Sequence, residues 1–143
     1  MAPPERAEEL ELDELWAFVG QRLNKYWLWL ALCRRTRQVV AYALGARDAA
    51  TCRVLLGRLP PGYRTCVCHT DAWPAYGEAL PSGQHRPRPR AGPTNHTERL
   101  NATLRARLGR LVRKTLSFSK CAHLLEATIH LFLHHYNLTC YHY

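Results

Sequence analysis

A single α/β domain, with a mixed β-sheet flanked by helices, is the fold class that this sequence predicts. Three observations carry that expectation. Three strand-patterned segments with short connections open the chain, a helix and a further strand follow, and two leucine-bearing helical stretches close it. The 143 residues and 16.5 kDa suit one domain and leave little room for a second. An apolar content of 47% is enough for a sizeable core, and a charged content of 22% argues against a wholly disordered chain.

The first strand is expected over Leu10–Val19, where Glu11, Asp13, Leu15 and Ala17 share one face. Tyr26–Leu32 is a continuous apolar, aromatic-rich run, as suits a central buried strand. Gln38–Leu44 follows the Arg34-Arg35-Thr36-Arg37 turn and is rich in β-branched and aromatic residues, completing an antiparallel meander. Asp48 is placed to cap a helix from Ala49 to about Leu59, which Pro60-Pro61-Gly62 ends. Tyr63–Thr70 reads as a fourth strand, and Ala72-Trp73-Pro74-Ala75-Tyr76 as a turn or short helix. Pro81–Pro93 is a Pro-, Gly- and Arg-rich loop with room for one edge strand. Thr94 or Asn95 then caps a long helix bearing Leu100, Leu104, Leu108 and Leu111 on one stripe. A last helix runs from about Ser119 to Tyr136, carrying Leu124, Leu125, Ile129, Phe132 and Leu133.

The charge is uneven. Twenty Lys and Arg against eleven Asp and Glu give a net charge of +9 and a pI near 9.6, a balance that points to a polyanionic partner. Six of the eleven acids lie before Leu15, whereas from Gln84 to Lys120 the single acid among ten bases is Glu98. Ten bases around one acid favour phosphate tracking over a merely solvated face. The longest uncharged apolar run, Tyr26–Cys33, is too short to span a bilayer, and no secretory signal follows Met1. An intracellular, soluble domain is the expectation. On that footing the six cysteines read as buried thiols, and the sequons at Asn95, Asn101 and Asn137 as chance matches. Cys66-Val67-Cys68-His69 lacks the spacing of a zinc knuckle. His134-His135 is accounted for by a helix C-terminus.

Three acids stand out locally. Asp13 is mid-strand, where Asp is disfavoured; Asp71 directly follows an apolar strand; Glu98 opens a helix among arginines. Cutting a phosphodiester with two divalent ions needs such carboxylates clustered at one spot. Each acid also has a structural reading. Asp13 can be one more charge of the acidic N-terminal stretch, Asp71 a turn residue, and Glu98 a helix-dipole or capping-box acid with Asn95. Spacing alone leaves both readings open.

The strings Leu12-Asp13-Glu14-Leu15-Trp16-Ala17-Phe18-Val19-Gly20, Thr70-Asp71-Ala72-Trp73-Pro74-Ala75-Tyr76, Thr97-Glu98-Arg99-Leu100-Asn101 and Lys114-Thr115-Leu116-Ser117-Phe118-Ser119-Lys120 resemble the insertion-sequence-one family of transposases, in the family's order. The resemblance covers residues 11–137, leaving 1–10 as an acidic segment and 138–143 as a tail. It implies a ribonuclease H-like catalytic domain of the DDE type, with Asp13, Asp71 and Glu98 as the catalytic, metal-holding acids. It implies Mg²⁺, with Mn²⁺ as a substitute: Asp13 bridges two ions, while Asp71 and Glu98 complete one ion each. The implied reaction frees a 3′-hydroxyl at the element's end and transfers it in-line to target DNA. Asn101 and Arg105 fall on the family's polar positions after the Glu, on a helix face opposite the leucines. DNA contacts are further expected from Arg99, Lys120 and Trp73, with Tyr76 as a second stacking ring, while core packing is the favoured reading of Trp73. Glu11 is expected as a spare acid beside the site, and Glu14 is expected to point away.

Complete members carry an N-terminal DNA-binding portion, and the catalytic blocks here begin almost at Met1. The resemblance thus implies a catalytic part that works with a separate or fused N-terminal portion, as a homo-oligomer on DNA ends and target, in the cytoplasm near the nucleoid. Two competing readings are a basic DNA-binding remnant without chemistry and a secreted, disulfide-linked glycoprotein. Thiol titration of the unfolded, unreduced chain separates the second, which six free thiols would exclude.

Overall fold

The computed structural model of the chain describes residues 8–18, 25–71, 73–87, 95–114 and 122–140. Its centre is a five-stranded sheet. Strands β1 (Glu9–Phe18), β2 (Lys25–Cys33) and β3 (Val39–Gly45) form the expected antiparallel meander, and β4 (Val67–Thr70) and β5 (His85–Pro87) add to the other side of β1 in parallel. The order is β3-β2-β1-β4-β5, a mixed sheet consistent with a ribonuclease H-like fold. The edge strand left open in the basic loop is β5, and its Pro87 is tolerated because it lies on the sheet's rim.

Alternation along β1 decides what each face receives. Leu10, Leu12 and Glu14 face one side, where Trp29, Ala31, Cys52, Leu55 and Tyr63 make a core under α1 (Ala49–Gly57) and α2 (Pro74–Ala79). Glu11, Asp13 and Leu15 face the other. There Leu28, Leu30 and Leu32 of β2 pack against Leu100 and Leu104 of α3 (Asn95–Lys114) and Leu125, Ile129 and Leu133 of α4 (Ala122–Thr139). The leucine stripe read from the sequence is thus the inward face of α3. The side chains of Leu108, Leu111 and Leu124 lie outside the described residues.

Local rules explain the boundaries. Asp48 caps α1, its Oδ1 accepting from the Thr51 amide at 2.9 Å. Gly45 is required beside that cap, since a Cβ there would sit 2.8 Å from Thr51 Oγ1. The fourth strand begins four residues later than the sequence suggests: Tyr63 closes a 3₁₀ turn, Pro61–Tyr63, and is fully buried beneath the sheet. The last helix continues past Tyr136 to Thr139, so the expected tail is partly helical. Within it Asn137 acts as a substitute strand partner. Its Oδ1 accepts from the Val39 amide and its Nδ2 donates to the Val39 carbonyl, both at 2.8 Å, which ties α4 to the sheet's edge. Cys33, Cys52, Cys66 and Cys68 are buried free thiols, as expected, and burial pushes Cys52 and Cys68 up to about 12. Among the described residues no helix is long and apolar enough to cross a membrane.

Candidate active site

β1 and β4 run parallel, and Glu11 pairs with His69. Two residues beyond that pair come Asp13, still on β1, and Asp71, just past the end of β4. Strand β4 stops at this level because Asp71 turns inward on its own backbone: its Oδ1 accepts from the Trp73 amide at 2.9 Å. The turn reading of Asp71 is therefore correct, and it serves to set the carboxylate beside β1. Thr70 steadies the strand end, its hydroxyl 2.8 Å from the Asp71 carbonyl and 2.6 Å from His85 Nε2.

Asp13 is held from two directions. Its Oδ1 accepts from the Glu14 amide at 2.9 Å, and its Oδ2 from Asn101 Nδ2, across on α3, at 2.7 Å. Burial pushes the Asp13 carboxyl up to about 7, and the neighbouring negative charges of Glu14, Asp71 and Glu98 add to the rise. Glu98 stands in the first turn of α3, solvent-exposed, one turn before Asn101. It acts on Asp13 through space but is not part of the tightest acidic group among the described residues.

That group is Asp13, Glu14 and Asp71, whose ligand oxygens lie within 4.8 Å of one another. Glu14 corrects the sequence-based expectation. It does leave β1 on the opposite face from Asp13, yet its longer chain reaches the gap that opens where β4 ends. It is buried, accepts a hydrogen bond from the Tyr76 hydroxyl, and receives Arg47 Nη2 at 3.1 Å and Nε at 3.3 Å. Burial raises its pKa, with Asp71 adding to the effect, against the pull of Tyr76 and Arg47. The Arg47 guanidinium in turn lies over the rings of Trp27, at 4.6 Å, and Trp73, at 3.8 Å.

The aromatic expectations change accordingly. Tyr76 is 0% exposed, edge-on to Trp29 at 5.3 Å, and so cannot stack on a base. Trp73 packs partly on the core and gives one ring face to Arg47. Asn101, expected at the DNA, is 5% exposed and spends its amide on Asp13. Arg99 and Arg105 are exposed on α3, while Lys120 lies outside the described residues, as do Arg88 and Arg90. Glu11, expected as a spare acid, instead caps α3: its Oε1 accepts from the His96 amide at 3.1 Å. Burial pushes it up to about 7 in spite of that bond and of nearby Arg34. The sequence reading missed Glu14, Arg47 and the role of Tyr76. Strand alternation points away from Glu14, and the one hint was the family-like string ending in Tyr76.

A family model described as IS1 transposase matches residues 9–139, nearly the whole chain. The chain belongs to the IS1 transposase family. The chain is also similar to InsB proteins of IS1 elements from several bacteria. The iso-IS1n InsB of Shigella dysenteriae is 40% identical over 125 residues, covering 86% of this chain and 92% of that protein. The IS1 InsB of Shigella flexneri is 40% identical over 119 residues, with 83% and 88% covered. An IS1 InsB of Escherichia coli K12 is 39% identical over 119 residues, with 83% and 70% covered. This IS1-family domain has the mixed sheet that its resemblance implied, with Asp13 and Asp71 side by side at the end of β4 and Glu98 across from them on α3.

Proposed function

We propose that this transposase domain cuts DNA at an element's ends and joins the freed 3′-hydroxyl to target DNA, using Asp13, Asp71 and Glu98 with Mg²⁺ or Mn²⁺. The observation that carries the reading is the parallel pairing of β1 and β4, which brings Asp13 of β1 within reach of Asp71, the residue that follows β4. The donor set fits a hard divalent cation. Asp13 and Asp71, together with Glu14, present carboxylate oxygens within 4.8 Å of one another, and Glu98, outside that group, acts on Asp13 through its charge. Asn101 Oδ1 is buried beside them with no hydrogen-bond partner among the described residues. Asp13 and Asp71 would hold one ion, and Asp13 and Glu98 a second. Bound there, the ions supply Lewis acidity to the attacking and leaving oxygens of an in-line displacement.

The chain's own side chains do the positioning. Asn101 fixes the rotamer of Asp13, and the Asp71 turn fixes that of Asp71. Glu14, clamped by Arg47 and Tyr76, adds negative potential behind both. Exposed Arg99 and Arg105 lie on the helix that carries Glu98, where they can take backbone phosphates, with Lys120 as a further contact. In this reading the domain acts as an oligomer on paired ends, with an N-terminal DNA-binding portion supplied separately or by fusion.

Incubation of supercoiled plasmid with the purified chain tests the reading against its runner-up, a basic remnant that only binds. Nicked and joined products in 5–10 mM Mg²⁺, absent in EDTA, are the expected result. Salt-sensitive DNA binding without any strand cut in either buffer would favour the remnant.

A further inference from the structure

A second basic feature lies away from the acids. The turn between β2 and β3 and the start of α3 enclose a cavity of about 130 Å³ lined by Leu32, Arg37, His96, Arg99, Thr103 and Tyr136, among others. Arg37 Nη1 touches His96 Nδ1, and Arg99 lies one turn further along α3. Arg37 and Arg99 are exposed, and neither makes an ion pair among the described residues, unlike Arg34, Arg35 and Arg47. Glu11, a buried acid on which the charge of Arg37 also acts, takes the His96 amide and faces Arg34 at 3.8 Å. Arg37 also occupies the left-handed region, at φ 65°, which costs a non-glycine residue energy. Two guanidiniums without an ion pair among the described residues, an imidazole, and Thr103 and Tyr136, the Thr103 hydroxyl donating to the Arg99 carbonyl, thus border a space of single-phosphate size.

We infer that this cavity is a phosphate subsite for the DNA backbone, with Arg37 and Arg99 as its anchors. The inference rests on the transposase reading, and the position supports it. Glu11 holds the His96 amide as Asp13 holds the Asn101 side chain, and the two strand residues stand about 7 Å apart along β1, so His96, which lines the cavity, meets β1 that far from Asp13. That is about two base steps of B-form rise, close enough to hold the strand being cut. Bidentate guanidinium–phosphate contacts would fix the strand's position without reading its sequence.

The test is binding of a labelled duplex in EDTA, titrated with salt, by the full chain and three variants. Arg37→Gln and Arg99→Gln are each expected to weaken binding about tenfold, and to lower the slope of log affinity against log salt by about one. Arg53→Gln, which removes the same charge from α1 on the other side of the sheet, should leave the slope unchanged. Circular dichroism checks that each variant is folded. Equal slopes for wild type, Arg37→Gln and Arg99→Gln would overturn the inference, as would a loss matched by Arg53→Gln. Because binding is read without divalent ions, such a failure is separable from failure of the catalytic reading, which shows only in Mg²⁺.

Discussion

Asp13→Asn is expected to lower Mg²⁺-dependent strand cleavage by on the order of 10³-fold, equivalent to about 4 kcal/mol of lost transition-state stabilisation. The same substitution should make the fold more stable at pH 8. Both effects have one cause. Asp13 sits where burial and the charges of Glu14, Asp71 and Glu98 disfavour its ionised form. Its carboxyl is raised from 3.8 to about 7, so in the absence of divalent ions its favourable contribution is complete below pH 4 and is lost as the pH rises towards 7. An amide of the same shape keeps an acceptor for the Glu14 amide, removes the charge, and can donate its NH2 to Asn101 Oδ1 once the Asn101 amide turns over. In urea unfolding with EDTA, wild type should lose stability between pH 4 and 8, and Asp13→Asn should lose less, by on the order of 2 kcal/mol. Glu11, raised to about 7 by burial, leaves some of the slope in place. A variant that is inactive and also less stable at pH 8 would make Asp13 a structural residue.

Arg47→Ala is expected to destabilise the domain by about 3 kcal/mol, because it strands the buried Glu14 carboxylate with Tyr76 as its remaining side-chain partner. The loss also removes the guanidinium lying over Trp27 and Trp73. For a domain of this size the melting temperature should fall by about 10 °C. Adding Glu14→Gln to Arg47→Ala should restore part of the loss, since the stranded charge is then gone; the two substitutions are in contact and cannot be additive. A loss below about 1 kcal/mol, or strict additivity, would show that the pair behaves as a surface ion pair.

The meander and both helical layers were legible because each rests on a short-range pattern. Alternation in β1 placed Glu11, Asp13 and Leu15 on one face, and the spacing of Leu100 and Leu104 turned α3 towards them. The late start of β4 was not legible, because Tyr63 has strand propensity but is taken into a 3₁₀ turn by the prolines before it. Asp13, Asp71 and Glu98 could be named from the resemblance, and the parallel register explains why the two aspartates meet. Glu14 could not be found by local rules. Its approach depends on where β4 ends and on the length of one side chain, neither of which alternation encodes. Glu11 and Asn101 show the converse: sequence put them beside the site correctly but could not assign their partners, the α3 amides and Asp13.

Diffraction from crystals soaked in Mn²⁺, read from the manganese anomalous signal, addresses the central proposal most directly. The expected map has one peak between the carboxylates of Asp13 and Asp71 and a second, about 3.5–4 Å away, towards Glu98. Peaks confined to other acids, or an empty Asp13–Asp71 gap at Mn²⁺ concentrations that support cleavage, would contradict it.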